Sequence, residues 1–277
     1  MMKHERYARL AQLIRGHAVT MTTLTRSSHV GSSLSMAELV AVLYDGVLRV
    51  DPKNPHWPDR DRFILSKGHA AAGVYGVLAE KGFFPKEWLD TYFRDDGKLS
   101  GHINHHVPGV DFTTGSLGHG LPVAAGMALV ARRMRKGHRI FVLMSEGDFE
   151  EGSTWEAAMF ASHHHCDNII AIVDANRIQA LGNVADIIDL EPLAEKLEAF
   201  GWSVRDIDGH DVRQIEEALL AVPWERGKPS CVIARTIKGK GVKSLENTLA
   251  SHYHWVPEEK LVEVYEELGV RDAFPIP

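Results

Sequence analysis

The run R-I-F-V-L-M-S-E-G-D-F-E-E-G occupies Arg139 to Gly152. It continues as S-T-W-E-A-A-M-F-A-S-H-H-H-C-D and then as N-I-I-A-I-V-D-A-N-R-I-Q-A-L-G, ending at Gly182. An apolar stretch, Ile140 to Met144, breaks at a carboxylate and a glycine. A helical segment follows, and a second apolar stretch, Ile169 to Val173, ends at Asp174-Ala175-Asn176. Strand, acidic glycine loop, helix, strand and amide loop is the pattern of two adjacent parallel strands. Glu146 and Asn176 then fall at the carboxyl ends of neighbouring strands, the edge at which open α/β sheets bind ligands. A carboxylate and an amide oxygen there suit a hard cation that also holds phosphate.

The flanking sequence supplies the rest of such a fold. Apolar periodicity predicts a helix over about Glu5 to Leu24, then a loop from Ser27 to Ser33 containing His29 and Gly31. Ser35-Met-Ala-Glu38 reads as a capping box opening a helix from Met36 to about Leu48. Arg62 to Ser66 is a short buried strand, and Lys67-Gly68-His69 turns into an alanine-rich helix reaching Lys81. Pro85 starts another helix. Asp95 to Gly120 is loop-rich and carries His102, His105 and His106; a loop this long inside a domain is functional or mobile. A helix spans about Leu117 to Lys136. Trp202 to Ile207 and Cys231 to Thr236 are further strands, with a helix capped by Asp211 between them. Thr236 to Gly241 reads as a flexible glycine loop, and Pro257 opens a last helix to about Gly269. Strands alternating with helices, with no linker, give one α/β domain over residues 1–277, a parallel sheet with helices on both faces.

Composition excludes several classes. The 277 residues carry a formal charge of -6, with 25% charged and 44% hydrophobic residues. That is ordinary for a soluble globular chain and gives no footprint for nucleic acid. The two cysteines, Cys166 and Cys231, form neither a disulfide framework nor a metal spacing and read as buried thiols. The N-terminus lacks the apolar core of a signal peptide, and no run approaches the ~20 apolar residues of a membrane span. The expected location is the cytoplasm, with no membrane partner. Three consecutive histidines, His163 to His165, point in different directions on a helix and read as surface residues.

Motifs in order then carry a resemblance: S-S-H-V-G-S-S-L-S-M-A-E-L, D-R-F-I-L-S-K-G-H-A, G-H-I-N, T-T-G-S-L-G-H-G, E-E-G-S-T-W-E-A-A-M-F-A and I-K-G-K-G-V. Together, and over nearly the whole chain, they resemble the N-terminal, diphosphate-binding half of transketolase, a thiamine diphosphate enzyme. The family's signature begins Gly-Asp-Gly and ends at a distant Asn. Read without a gap from both sides, Gly-Asp-Gly falls on Ser145-Glu146-Gly147. Asn176 lies 30 positions after Glu146 and 28 after Asp148, so the Asp148 register needs a deletion in a tight loop. Glu146 is therefore expected as the metal carboxylate, one methylene longer than the usual Asp.

The resemblance implies the remaining site residues. The Asn176 side chain and the Ile178 carbonyl join Glu146 on magnesium, or on calcium or manganese. Gly147 admits the diphosphate, because a side chain there would block its approach. Ser153 and Glu156 are expected to form a capping box whose helix offers free N–H groups to the phosphates. Gly115 and Leu117 match the loop around the cofactor, with Ser116 and His119 as departures; His119 is read either as a phosphate or substrate contact or as helix-start packing. Glu151 matches a glutamate near a twofold interface and is expected among the cofactor-binding residues. His29, His69, His102 and His252 match a funnel of imidazoles for sugar hydroxyls, His69 and His252 also touching the cofactor and His254 competing with His252 for its place. Lys238 and Lys240 are either solvated or close over phosphate.

The chain ends where the diphosphate domain of a full-length transketolase gives way to a pyrimidine-binding domain. It thus resembles the N-terminal subunit of a split transketolase, with the cofactor held between it and a separate C-terminal, pyrimidine-binding subunit in a dimer of such pairs. The implied reaction moves a two-carbon ketol unit from a ketose to an aldose, free or phosphorylated. The alternatives are the first subunit of another thiamine diphosphate enzyme, such as a 2-oxo acid dehydrogenase, and a non-catalytic interaction subunit.

Overall fold

The apolar runs become five parallel strands: β1 (Arg62–Leu65), β2 (Ile140–Ser145), β3 (Ile169–Ala175), β4 (Ser203–Asp208) and β5 (Ser230–Arg235), ordered β1-β2-β3-β5-β4. The computed structural model describes residues 1–274. Its helices are α1 (Lys3–Thr25), α2 (Val30–Ser35), α3 (Ala37–Val42), α4 (Ala71–Glu80), α5 (Gly120–Arg133), α6 (Gly152–His163), α7 (Val184–Ile187), α8 (Leu193–Ala199), α9 (Val212–Leu220), α10 (Ala250–Tyr253) and α11 (Leu261–Glu267).

Side chains alternate along each strand, so both faces of the sheet must find cover. Phe141, Leu143, Ile170 and Ile172 join one core with α1, α3, α4 and α9. Ile140, Val142, Met144, Ile169, Ala171 and Val173 join the other with α5, α6 and α8. Burial on both sides is why these strands read as unbroken apolar runs. A third cluster ties Val30 and Leu34 of α2 to Val242, Leu245 and the apolar face of α11. β2 and β3 pair in register from Ile140↔Ile169 to Ser145↔Asp174, which brings Glu146 and Asn176 to the same sheet edge. Among the described residues no helix is long and apolar enough to cross a membrane. Both cysteines are free and buried, and His163 and His165 are exposed.

Local expectations fail where a polar side chain has a tertiary partner instead of a cap. Residues 30–35 form α2 rather than a loop, and the chain breaks at Met36 (φ -92°, ψ 6°) before α3 and a π-turn over Leu43–Val47. No capping box forms at Ser35, because its hydroxyl donates to Asp174 across the core and Glu38 is held by Arg15. No capping box forms at Ser153 either: α6 starts at Gly152 after Glu151, and the Ser153 hydroxyl donates to the Gly118 carbonyl. Asp211 does cap α9, accepting from Arg213 N at 2.9 Å. The glycine loop is no solvated flap, since Lys238 is 1% exposed.

Arg15 clamps Glu38 beneath α2, with Nη1 and Nη2 donating at 2.7 and 2.6 Å and Nε donating to the Leu34 carbonyl. Burial alone would raise the Glu38 carboxyl, but the Arg15 charge and the His210 hydrogen bond bring it down to about 2. This stabilisation is present above the ordinary glutamate range and is lost as pH falls through about 2. Arg15→Ala strands the carboxylate and is expected to cost about 3–5 kcal/mol in a urea unfolding titration.

Candidate active site at the carboxyl edge of the sheet

A cleft of about 150 Å³ opens where β2 and β3 end. Ser145, Glu146 and Gly147 line it from one side, and Asn176, Ile178 and Gln179 from the other. Leu117, His69, Lys67, Lys238 and His252 enclose it. Glu146 Oε2 accepts from the Arg177 N–H at 2.6 Å. Burial pushes the Glu146 carboxyl up to about 7; that N–H opposes the rise and the Asp174 charge adds to it. Asn176 Oδ1 accepts from Ile178 N at 3.2 Å. Carboxylate, amide oxygen and the nearby Ile178 carbonyl form an oxygen donor set of the kind a hard cation takes. Among the described residues no group of three or more His, Cys, Asp or Glu side chains is placed to hold a metal ion, so any cation site here depends on neutral oxygens as well.

The two competing carboxylates have separate environments. Asp148 is fully buried and accepts from Ser66 Oγ at 2.6 Å, Gly118 N at 2.9 Å, Ser145 N at 2.8 Å and Ser145 Oγ at 2.9 Å. Two of those bonds close the 145–148 turn on itself and two tie it to the end of β1 and to the Gly115–Gly120 loop, so the Asp148 lone pairs are already spent. Glu146 lines the cleft. Gly147 faces Leu117, and a Cβ there would meet Leu117 Cδ1 at 2.9 Å. The 3₁₀ turn Glu146–Glu150 stands between β2 and α6, and the first turn of α6 does not line the cleft.

Four distant histidines converge beside it. The His29 ring centroid lies 5.0 Å from His69, 5.8 Å from His102 and 4.8 Å from His252. His29 adopts φ 73°, a left-handed conformation that costs a non-glycine residue energy. The strain is held by His29 N donating to the His252 carbonyl at 2.8 Å and by close packing behind it, where a Cβ on Gly31 would meet Ser251 Oγ at 2.4 Å. Burial first, then the neighbouring His102 and Lys238, lower His29 to about 4. Burial and then Lys238 take His252 to about 3, and burial with Lys67 drives His69 well below its usual range. These three rings are therefore neutral at physiological pH and can both donate and accept. Lys238 Nζ lies 3.0 Å from His252 Nδ1 and donates to the Ile178 carbonyl at 2.8 Å. An ammonium can only donate, so Nδ1 of His252 accepts and Nε2 carries its proton.

The transketolase thiamine diphosphate-binding domain model matches residues 7–277. This chain belongs to that family. It is 44% identical over 246 residues to the 6-deoxy-6-sulfo-D-fructose transketolase subunit of Clostridium sp., covering 88% of this chain and 90% of that one. It is 42% identical over 265 residues to one of the subunits of the apulose-4-phosphate transketolase of Actinobacillus succinogenes, covering 95% of both. The transketolase of Campylobacter jejuni superposes with a TM-score of 0.93 at 32% identity, over 100% of this chain and 45% of that one. The chain therefore spans less than half the length of that solved transketolase and nearly all of the separate subunits.

Within this transketolase domain, the sequence-derived residues divide plainly. Glu146, Gly147, Asn176, Ile178, Leu117, His69 and His252 line the cleft; His29 and His102 stand against its histidines, and Gly115 is outside the lining, where a Cβ added to it would come 3.8 Å from His102 Cδ2. Glu151 does not reach it and is exposed at the start of α6. His119 is exposed, its ring bonded to the Leu117 carbonyl. His254 is outside the lining, while Lys238 is inside it. Lys67 and Ser32 also line the cleft, and sequence reasoning misses both, although Lys67 sits within the S-K-G-H-A motif itself.

Proposed function

We propose that this chain is the diphosphate-binding subunit of a transketolase. With a separate pyrimidine-binding subunit it moves a two-carbon ketol unit from a ketose to an aldose, in a dimer of such pairs. The observation that carries this reading is the juxtaposition of four histidines with an oxygen-lined cleft at the ends of β2 and β3. The named relatives, a sulfofructose and an apulose phosphate transketolase subunit, support a substrate with an anionic end group.

The residues fit the cofactor. Glu146, Asn176 and the Ile178 carbonyl would hold magnesium, calcium or manganese, all of which favour oxygen ligands. Gly147 and Leu117 leave a floor without a projecting polar side chain, and His69 and Lys238 line the cleft as donors for diphosphate oxygens. Bound thiamine diphosphate supplies the nucleophilic carbon and the electron sink for breaking a carbon–carbon bond beside a carbonyl. The neutral rings of His29 and His69 donate to sugar hydroxyls, accept their protons and return them. His252 offers its Nε2–H, since Lys238 occupies Nδ1.

Proton competition at Glu146 sets a pH dependence. The protonated carboxyl must lose its proton to bind a cation, so Mn²⁺ affinity is expected to rise about tenfold per pH unit up to about 7 and then level off. Electron paramagnetic resonance of free Mn²⁺ measures this directly. For the function itself, ketose phosphate and aldose phosphate are supplied with thiamine diphosphate and magnesium. Ketol transfer is expected when the pyrimidine-binding subunit is added and not with this chain alone. Robust turnover by the isolated chain would overturn the two-subunit reading.

A further inference from the structure

The geometry points to Asp174 as a positioning residue: its carboxylate fixes which end of the Asn176 amide faces the cleft. This rests on the proposal that Asn176 helps hold the cation. Asp174 sits fully buried on β3, two residues before Asn176. Every contact made to it comes from a donor. Lys67 Nζ and Thr236 Oγ1 bond it, Ser35 Oγ lies 2.5 Å from Oδ2, and Asn176 Nδ2 lies 3.2 Å from the same oxygen. A carboxylate paired with an ammonium accepts and does not donate, so the edge of the amide that faces it must be the NH₂ edge.

The carbonyl oxygen is thereby turned the other way, and the Ile178 N–H donation to Oδ1 agrees with that orientation. An amide nitrogen cannot ligate a cation while its lone pair is delocalised, so an Asn turned over at this position would present the wrong end. Lys67 serves the same purpose one step further back. Its ammonium bonds both Asp174 and the Ser32 carbonyl, fixing the carboxylate between α2 and β3. Residues that orient a metal ligand in this manner typically cost 10–100-fold in metal affinity when changed.

The test measures Mn²⁺ binding to the full chain in the presence of thiamine diphosphate, by electron paramagnetic resonance, with thermal melting alongside. Asp174→Asn replaces an obligate acceptor with a group that donates or accepts, and is expected to weaken Mn²⁺ binding about 10–100-fold. Asn176→Asp leaves the Lys67–Asp174 pair intact and is also expected to weaken binding, although it adds a carboxylate, because two acceptors then face one another. A purely structural role for Asp174 would leave Asn176→Asp binding Mn²⁺ at least as tightly as the unmodified chain, since a carboxylate then replaces an amide oxygen as ligand. Binding by Asn176→Asp as tight as the unmodified chain overturns the inference. If Asp174→Asn fails to fold, the Asn176→Asp arm alone decides. No Mn²⁺ binding by the unmodified chain would overturn the cation site and this inference together, whereas normal binding with indifferent variants overturns this inference alone.

Discussion

Glu146→Ala is expected to lower Mn²⁺ affinity by more than about 100-fold, beyond the loss that removing a supporting residue causes, while leaving the melting temperature unchanged or raised. Asp148→Ala, two residues on, is expected to do the opposite. The reason lies in what each carboxylate touches. Glu146 has one backbone N–H and a burial cost that pushes it up to about 7. Because its folded pKa is above the unfolded value, ionising it opposes folding. That cost sets in as pH rises through the ordinary glutamate range and is complete above about 7. Removing it therefore relieves the fold at neutral pH while deleting a proposed oxygen ligand. Asp148 instead satisfies four donors in a water-free position. Stranding them is expected to cost about 3 kcal/mol or more in a denaturant titration, with the proposed cation ligands themselves untouched. Equal effects on both readouts would mean that the two positions share one role.

His69→Ala and His29→Asn are expected to reduce kcat/KM of the reconstituted two-subunit enzyme by about 10²–10⁴, the range for a positioned acid or base. Asparagine is the informative replacement at His29, because it tolerates the left-handed backbone found there and so removes the imidazole without a second backbone penalty. His29 N still donates to the His252 carbonyl in that variant. Steady-state kinetics at saturating thiamine diphosphate and metal separate the loss from cofactor binding. An unchanged kcat/KM for both variants would remove the histidine cluster from the chemistry.

The motifs gave access to more of the site than the local structure did. The spacing around Ser145-Glu146-Gly147 and Asn176 located two cleft residues, and the flanks of His29, His69, His102 and His252 located a cluster that the folded chain does assemble. What local pattern could not supply was the partner of each polar side chain. Ser35 and Ser153 carry capping-box spacing yet donate to Asp174 and to the Gly118 carbonyl. Lys238 sits between glycines in a sequence that reads as solvated loop, and is buried against Ile178 and His252.

By itself the sequence determined the parallel α/β sheet with helices on both faces, because strands buried on both sides must be unbroken apolar runs and their connections must be helical. It also determined the edge of that sheet at which the cleft opens, because the acidic glycine turn and the amide loop end adjacent strands. Tertiary structure alone decided which carboxylate is free. Glu146 and Asp148 are two positions apart in one turn, and only the arrival of Ser66 and Gly118 from other segments saturates Asp148 and leaves Glu146 facing the cleft. The same holds for Lys67 and Asp174, which are 107 positions apart in sequence and paired at the centre of the fold. Hydrogen-bond saturation and desolvation are properties of contacts, and contacts between distant segments exist only once the chain has folded.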